Sequence, residues 1–253
     1  MYFDTHAHYD DRQFDPDRDE LLSSMPANGI ELILDAGSDL SSSRFALELT
    51  KKYPFLYSAA GVHPHDAKGM TRDTLPALED ILQNDKVVAV GEIGLDYHYD
   101  FSPRDIQRRC FQAQLELARK VKKPVVIHER EACADAMEIV RGFRDIVGVF
   151  HCFSGSWETA RELLDMGWYL SFTGVITFKN ARRALEVIEK MPRERIMIET
   201  DSPYLAPDGH RGTRNSSLYL PEIAAKVGEI LGISREEAAA LTLSNGKRFF
   251  GIA

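Results

Sequence analysis

The chain has 253 residues, 44% hydrophobic and 28% charged, with a formal net charge of −8, proportions that fit an ordinary folded protein and exclude a disordered or fibrous one. The acidic balance argues against binding nucleic acid through a broad basic face, though it leaves room for a local site where metal ions and a few arginines hold an anion. No apolar run approaches the roughly 20 residues needed to cross a bilayer, Asp4 and His6 interrupt any apolar leader, and the three scattered cysteines form no Cys-x-x-Cys pair, so a reduced, cytoplasmic setting is expected.

The first stretch, 2–8, reads as a short strand. Tyr2 and Phe3 lead in, and His6 and His8 follow at the alternate spacing that puts two side chains on one face. Two neutral imidazoles side by side suit a divalent transition metal such as zinc, manganese, nickel or iron. One His-x-His is a weak motif by itself, so its weight depends on ligands from elsewhere. Leu21, Leu22 and Met25 give 16–28 a helical spacing that Asn28-Gly29 closes. A buried strand is expected over 30–37, then a helix over 45–53 behind the cap-rich run 38–43, stopped by Pro54. The alternation continues with strands over 56–62, 87–90, 124–127, 146–150, 168–172 and 195–199. Helices are expected over 74–83, 103–121, 132–142, 156–166 and 180–191, with two more over 218–231 and 235–249. Ser234 and Glu237 form a capping box for the last.

Eight short apolar strands alternating with helices predict a single (β/α)8 TIM barrel with an extra C-terminal helix, one domain over 1–253. Periodicity does not show closure, so a doubly wound open sheet is the alternative. In such a barrel the chemistry sits at the C-terminal ends of the strands. There the sequence places His6 and His8, then His63 and His65, Glu92, His128, His151 and Asp201. Six of the eight histidines fall at one end of the expected sheet, which a random scatter over helices and surfaces would not produce. His6, His8, Glu92, His128, His151 and Asp201 exceed what one tetrahedral ion needs and suit two divalent ions per chain (Mg, Mn, Zn, Ni or Fe). Glu92, flanked by glycines that allow close backbone approach, is the expected bridge. Asp201 is expected to hold one ion and to accept the proton of an attacking water.

With these residues assembled, the chain resembles the TatD family of metal-dependent hydrolases among the amidohydrolase-type barrels. The segments that carry the resemblance are Asp4-Thr5-His6-Ala7-His8, Gly61-Val62-His63-Pro64-His65, Gly91-Glu92-Ile93-Gly94-Leu95-Asp96, Val126-Ile127-His128, Phe150-His151-Cys152-Phe153-Ser154-Gly155 and 199–207 from Glu199 through Asp201 to Pro207, followed by Arg211-Gly212 and Asn215. Many amidohydrolase relatives bridge their metals with a carboxylated lysine on the fourth strand. Here Glu92 stands there, as in TatD-type proteins. One departure is that Ser216-Ser217-Leu218 follows where the family usually has a proline.

The resemblance implies a divalent-metal-dependent deoxyribonuclease acting on DNA ends or single strands. His63 is the candidate for contacting the scissile phosphate or leaving group. His65 either joins it or braces the loop, and Arg211 and Arg214 are candidates for phosphate. Tyr97, Phe153, Phe178 and Tyr204 are candidates for stacking on unpaired bases, and Lys179, Arg182 and Arg183 for a local basic edge. Two alternatives stand beside this. One is a metal-dependent hydrolase of a small ester, lactone, amide or aminoacyl ester, which the acidic charge favours. The other is a non-enzymatic barrel with structural metals. No membrane association and no obligate protein partner are expected.

Overall fold

Short aliphatic runs bounded by glycine, proline and cap residues form the strands of the computed structural model, which describes residues 1–253. They are β1 (Tyr2–Ala7), β2 (Ile30–Ala36), β3 (Leu56–Ala60), β4 (Val87–Asp96), β5 (Val125–Arg130), β6 (Gly148–Phe150), β7 (Tyr169–Phe172) and β8 (Ile196–Ile198). The helices are α1 (Arg18–Ser24), α2 (Leu40–Lys52), α3 (Thr74–Leu82), α4 (Arg104–Val121), α5 (Cys133–Val140), α6 (Trp157–Asp165), α7 (Arg182–Lys190), α8 (Leu220–Leu231) and α9 (Arg235–Phe250). The strands follow one another in one sheet in the order β1 to β8, and a parallel bridge between Ala7 and Ser202 brings the end of β1 beside the end of β8. This is the barrel the sequence predicts, with α9 as the extra helix. Strands covered on both faces need near-continuous apolar runs, and every residue of β4 is buried. No helix is long and apolar enough to cross a membrane.

The chain comprises two compact units, Met1–Asp35 with Tyr53–Leu56 and Cys152–Ala253, and Ala36–Lys52 with Tyr57–His151. In the first, α9 lies against β1. A Cβ on Gly246 would meet the Phe3 ring at 2.7 Å and the Thr5 methyl at 3.1 Å, so only glycine lets helix and strand approach this closely. Phe250 packs on Phe3 at a centroid distance of 5.7 Å, and the Asn245 amide donates to the Ile196 carbonyl at 2.8 Å. In the second unit two buried glutamines of α4 complete the strand ends. Gln114 accepts from the Val62 N–H at 2.7 Å and donates to its carbonyl at 3.0 Å. Gln107 does the same for Asp96, at 2.8 and 3.0 Å.

Several boundaries differ from expectation for local reasons. The helix expected from residue 45 begins at Leu40, because Asp39 accepts the Ser42 N–H at 2.7 Å and starts the turn earlier. The expected helix over 16–28 breaks into α1 and a 3₁₀ turn at Pro26–Asn28, since proline supplies no N–H to continue it. β3 stops at Ala60, because Gln114 takes the Val62 backbone. β4 runs on to Asp96, so Glu92 lies inside the strand rather than after it.

Candidate metal centre

β1 carries His6 and His8 to the strand end, and its register against β2 slips between Asp4 and Ala7, an irregularity that re-aims side chains away from strict alternation. The two Nε2 atoms stand 3.1 Å apart. Asp201, just past β8, turns its Oδ1 toward both, 3.7 Å from His6 and 3.4 Å from His8. Its backbone is left-handed at φ 56°, a conformation a non-glycine residue holds only when its surroundings impose it. Those surroundings are the bonds from the Asp201 N–H to the His6 carbonyl and from the His8 N–H to the Ser202 carbonyl, at 2.9 and 2.7 Å. Behind them the buried Asp4 carboxylate accepts from Thr200 N (2.8 Å), Thr200 Oγ1 (2.6 Å) and Ser217 Oγ (2.6 Å). Burial pushes the Asp4 carboxyl up to about 7, against the lowering effect of those three bonds.

The second group is built on β4, β5 and the end of β6. The β4–β5 register shifts between Val90 and Ile93, again at a ligand candidate, and aims Glu92 at the histidines. Glu92 Oε1 lies 2.7 Å from His128 Nδ1 and 2.9 Å from His151 Nε2, and those two nitrogens are 3.3 Å apart. His63 Nε2 is 3.5 Å from the same oxygen, and His63, Glu92 and His128 together form a group with metal-ligand spacing. On its other side His128 Nε2 meets Asp96 Oδ2 at 3.1 Å. Metal-binding imidazoles are commonly oriented by such a carboxylate.

The donors fit a divalent ion. Ligands about 2.0–2.1 Å from a tetrahedral zinc are roughly 3.3 Å from one another, and both sets, His6–His8–Asp201 and Glu92–His128–His151, cluster around that separation. Burial pushes His63 down to about 4, so its imidazole is neutral at neutral pH. Its Nδ1 accepts the His65 N–H at 3.2 Å, which leaves the proton on Nε2 as a donor facing the site. Burial works to lower His128, but its bonds to Asp96 and Glu92 outweigh this and raise it. Asp96 is held well below the usual carboxylate range: burial alone would raise it, and hydrogen bonds from His128, the Tyr99 N–H and His65 prevail.

The remaining candidates separate by position. His65 Nε2 is bonded to Asp96 Oδ2 at 2.9 Å. Tyr204, 49% exposed, donates its hydroxyl to Asp11 at 2.8 Å and stands edge-on to His8. Arg211 lies over the Phe178 ring, 4.5 Å from its centroid. Arg214 is held by both carboxylate oxygens of Asp17 at 2.7 and 2.6 Å and by the Gln13 carbonyl. Phe153 is buried, and the Tyr97 hydroxyl is taken by Asp135. Lys179, Arg182 and Arg183 are exposed at the start of α7. Sequence reasoning did not single out Asp4, Thr200 and Ser217, or Asp96 as a partner of His128. The available signal was an acid two residues before His6, and an acid at the end of the Gly-Glu-Ile-Gly-Leu-Asp run.

The comparisons with known proteins agree with this geometry. The family model described as TatD related DNase matches residues 3–251. The metal-dependent hydrolase YabD of Bacillus subtilis is 42% identical over 100% of both chains. The 3'-5' ssDNA/RNA exonuclease TatD of Citrobacter koseri is 36% identical, with 99% of each chain covered. The solved structure of YJJV, a TatD homologue from Escherichia coli, superposes with a TM-score of 0.93 at 28% identity, covering 100% of this chain and 98% of that one. A whole-chain family match, a shared barrel, and imidazole and carboxylate donors at metal-ligand spacing lead to one conclusion: the chain belongs to the TatD family of metal-dependent hydrolases.

Proposed function

We propose that this protein hydrolyses phosphodiester bonds at the ends of DNA or in single strands, acting as one hydrolase domain over 1–253 in the cytoplasm. The observation that carries the reading is the pair of donor sets. His6, His8 and Asp201 would hold one divalent ion, and Glu92, His128 and His151 a second. The name of the Citrobacter koseri relative, an exonuclease of single-stranded DNA and RNA, supports a nucleic-acid substrate.

Divalent ions bound there would lower the pKa of water and offset the charge that develops on the phosphoryl oxygens. Asp201, with one oxygen toward the His6–His8 pair, accepts the proton of the attacking water on its carboxylate. His63, neutral and protonated on Nε2, donates a hydrogen bond to a phosphate oxygen or the departing alkoxide. Tyr204 and Arg211 lie on exposed segments after β8 and contact the strand, and His65 contacts it beside His63.

The test is release of mononucleotides from end-labelled single-stranded DNA, RNA and duplex with added Mg, Mn or Zn. Activity is expected on single strands, to be abolished by chelation and by Asp201→Asn or Glu92→Ala. Intact nucleic acid alongside turnover of a small ester, lactone, amide or aminoacyl ester would replace this reading with the alternative that the net charge of −8 favours.

A further inference from the structure

The loop after β4 carries two large aromatic side chains that the proposed mechanism leaves unused. Tyr99 is 46% exposed and Phe101 56%, yet their rings stack on each other at 5.3 Å and 28°. The arrangement leaves aromatic surface in water beside a ring already fixed by its neighbour, onto which a further ring can stack. The backbone imposes this arrangement. Asp100 between them adopts φ 51° and is anchored by Arg104 at 2.7 Å. The buried Ser102 hydroxyl donates to the His65 carbonyl and accepts the Lys68 N–H, at 2.8 and 3.0 Å.

Through His65 the pair is linked to His63, a member of one of the metal-spaced groups. His65 stands edge-on to Phe101 and to Tyr99, at 4.8 and 5.3 Å, and edge-on to His63 at 4.3 Å. Arg130 lies over Tyr99, 4.9 Å from its centroid. The Asp96 carboxylate ties these parts together. Its Oδ1 accepts the His98 and Tyr99 N–H groups at 3.0 and 2.9 Å, while its Oδ2 meets His65 and His128.

From this we infer that Tyr99 and Phe101 form a stacking platform for an unpaired nucleobase of the substrate strand, which deepens and rests on the nucleic-acid reading above. A preordered aromatic surface costs little entropy to use, and base–aromatic stacking tolerates any base sequence. Because one carboxylate orients both the platform loop and His128, a base seated there fixes the strand relative to the Glu92–His128–His151 set.

The test uses the metal-loaded protein and a labelled oligothymidylate with a hydrolysis-resistant phosphorothioate backbone, compared by anisotropy with the same backbone lacking bases. The native protein should prefer the base-bearing strand. Phe101→Ala should weaken that binding by roughly tenfold or more and erase the preference. Phe101→Leu, which keeps apolar bulk without a π face, should behave like Phe101→Ala, while Phe101→Tyr should restore binding. The inference is overturned if the native protein shows no preference, if Phe101→Leu binds like the native protein, or if Phe101→Ala weakens both strands equally. Cleavage of the natural strand is measured separately. Base-dependent binding without cleavage would refute the nuclease reading and leave the platform standing, whereas cleavage without base preference would do the reverse.

Discussion

Replacing Gly94 with alanine tests how tightly β4 and β5 must approach for Glu92, Asp96 and His128 to meet. Gly94 pairs with His128 across the two strands, has φ 144°, and leaves room for no side chain: a Cβ would lie 2.0 Å from the His128 carbonyl oxygen. The conformation costs an alanine about 1–3 kcal/mol and the forced separation about 1–3 kcal/mol more. Against this, alanine makes the unfolded chain less flexible, which returns about 0.4–1 kcal/mol. The net loss is about 1–6 kcal/mol, a fall in Tm of roughly 2–24 °C at the 2–4 °C per kcal/mol usual for this chain length. Relief of the clash moves the His128 backbone, and a 1 Å misplacement of a reacting group can cost on the order of 10²-fold in rate. Thermal melting and metal content per chain, measured on Gly94→Ala beside Gly69→Ala, are the assays, since a Cβ at Gly69 meets nothing within 4 Å. If Gly94→Ala melts with the native protein and retains the same metal, the account of the β4–β5 approach is refuted.

Other perturbations separate the roles of neighbouring groups. Asp96→Asn removes the charge behind His128 while keeping its shape, and should cost roughly 10–100-fold in metal affinity or turnover, read by metal titration; an unchanged affinity would show that Asp96 does not orient the ligand. Asp4→Ala leaves the buried Thr200 N–H, Thr200 Oγ1 and Ser217 Oγ without their acceptor and should destabilise the fold by at least about 1–3 kcal/mol, seen as a lower midpoint in urea. The Arg214 guanidinium holds the Asp17 carboxyl below its ordinary value, so the pair stabilises above the unfolded-state pKa and loses that contribution as pH falls through the folded-state one. Both partners are partly exposed, so Arg214→Ala should cost under about 1 kcal/mol at pH 7 and progressively less in acid. A penalty that persists at low pH would assign it instead to the packing of Arg214 on Phe14.

The barrel is legible in the sequence because the strands are largely buried, and the candidate donors stand out because each interrupts an apolar run at the same end. What periodicity does not show is irregularity. Strict alternation explains neither the slipped register at His6 nor the one at Glu92, because such slips depend on the neighbouring strand. The early start of α2 depended on which of several cap residues took the N-cap position, and Asp39 took it. Among the aromatic residues, sequence position alone ranked Tyr97 and Phe153 with Tyr204. Only the three-dimensional arrangement shows Phe153 buried, Tyr97 bonded to Asp135, and the neighbouring Tyr99 and Phe101 held outward. Asp4 was quoted within a motif, but its acceptor role needs Thr200 and Ser217, which lie at the far end of the chain.

The seat of β1 against Gly246 has a consequence for synthesis. The strand bearing the first two imidazoles is made long before the helix that covers Phe3. Contacts so remote in sequence are slow to form. A ribosome stalled before residue 235 would therefore display a nascent chain in which the Phe3 face of β1 is still bare, and that strand should become protected only once α9 has been made.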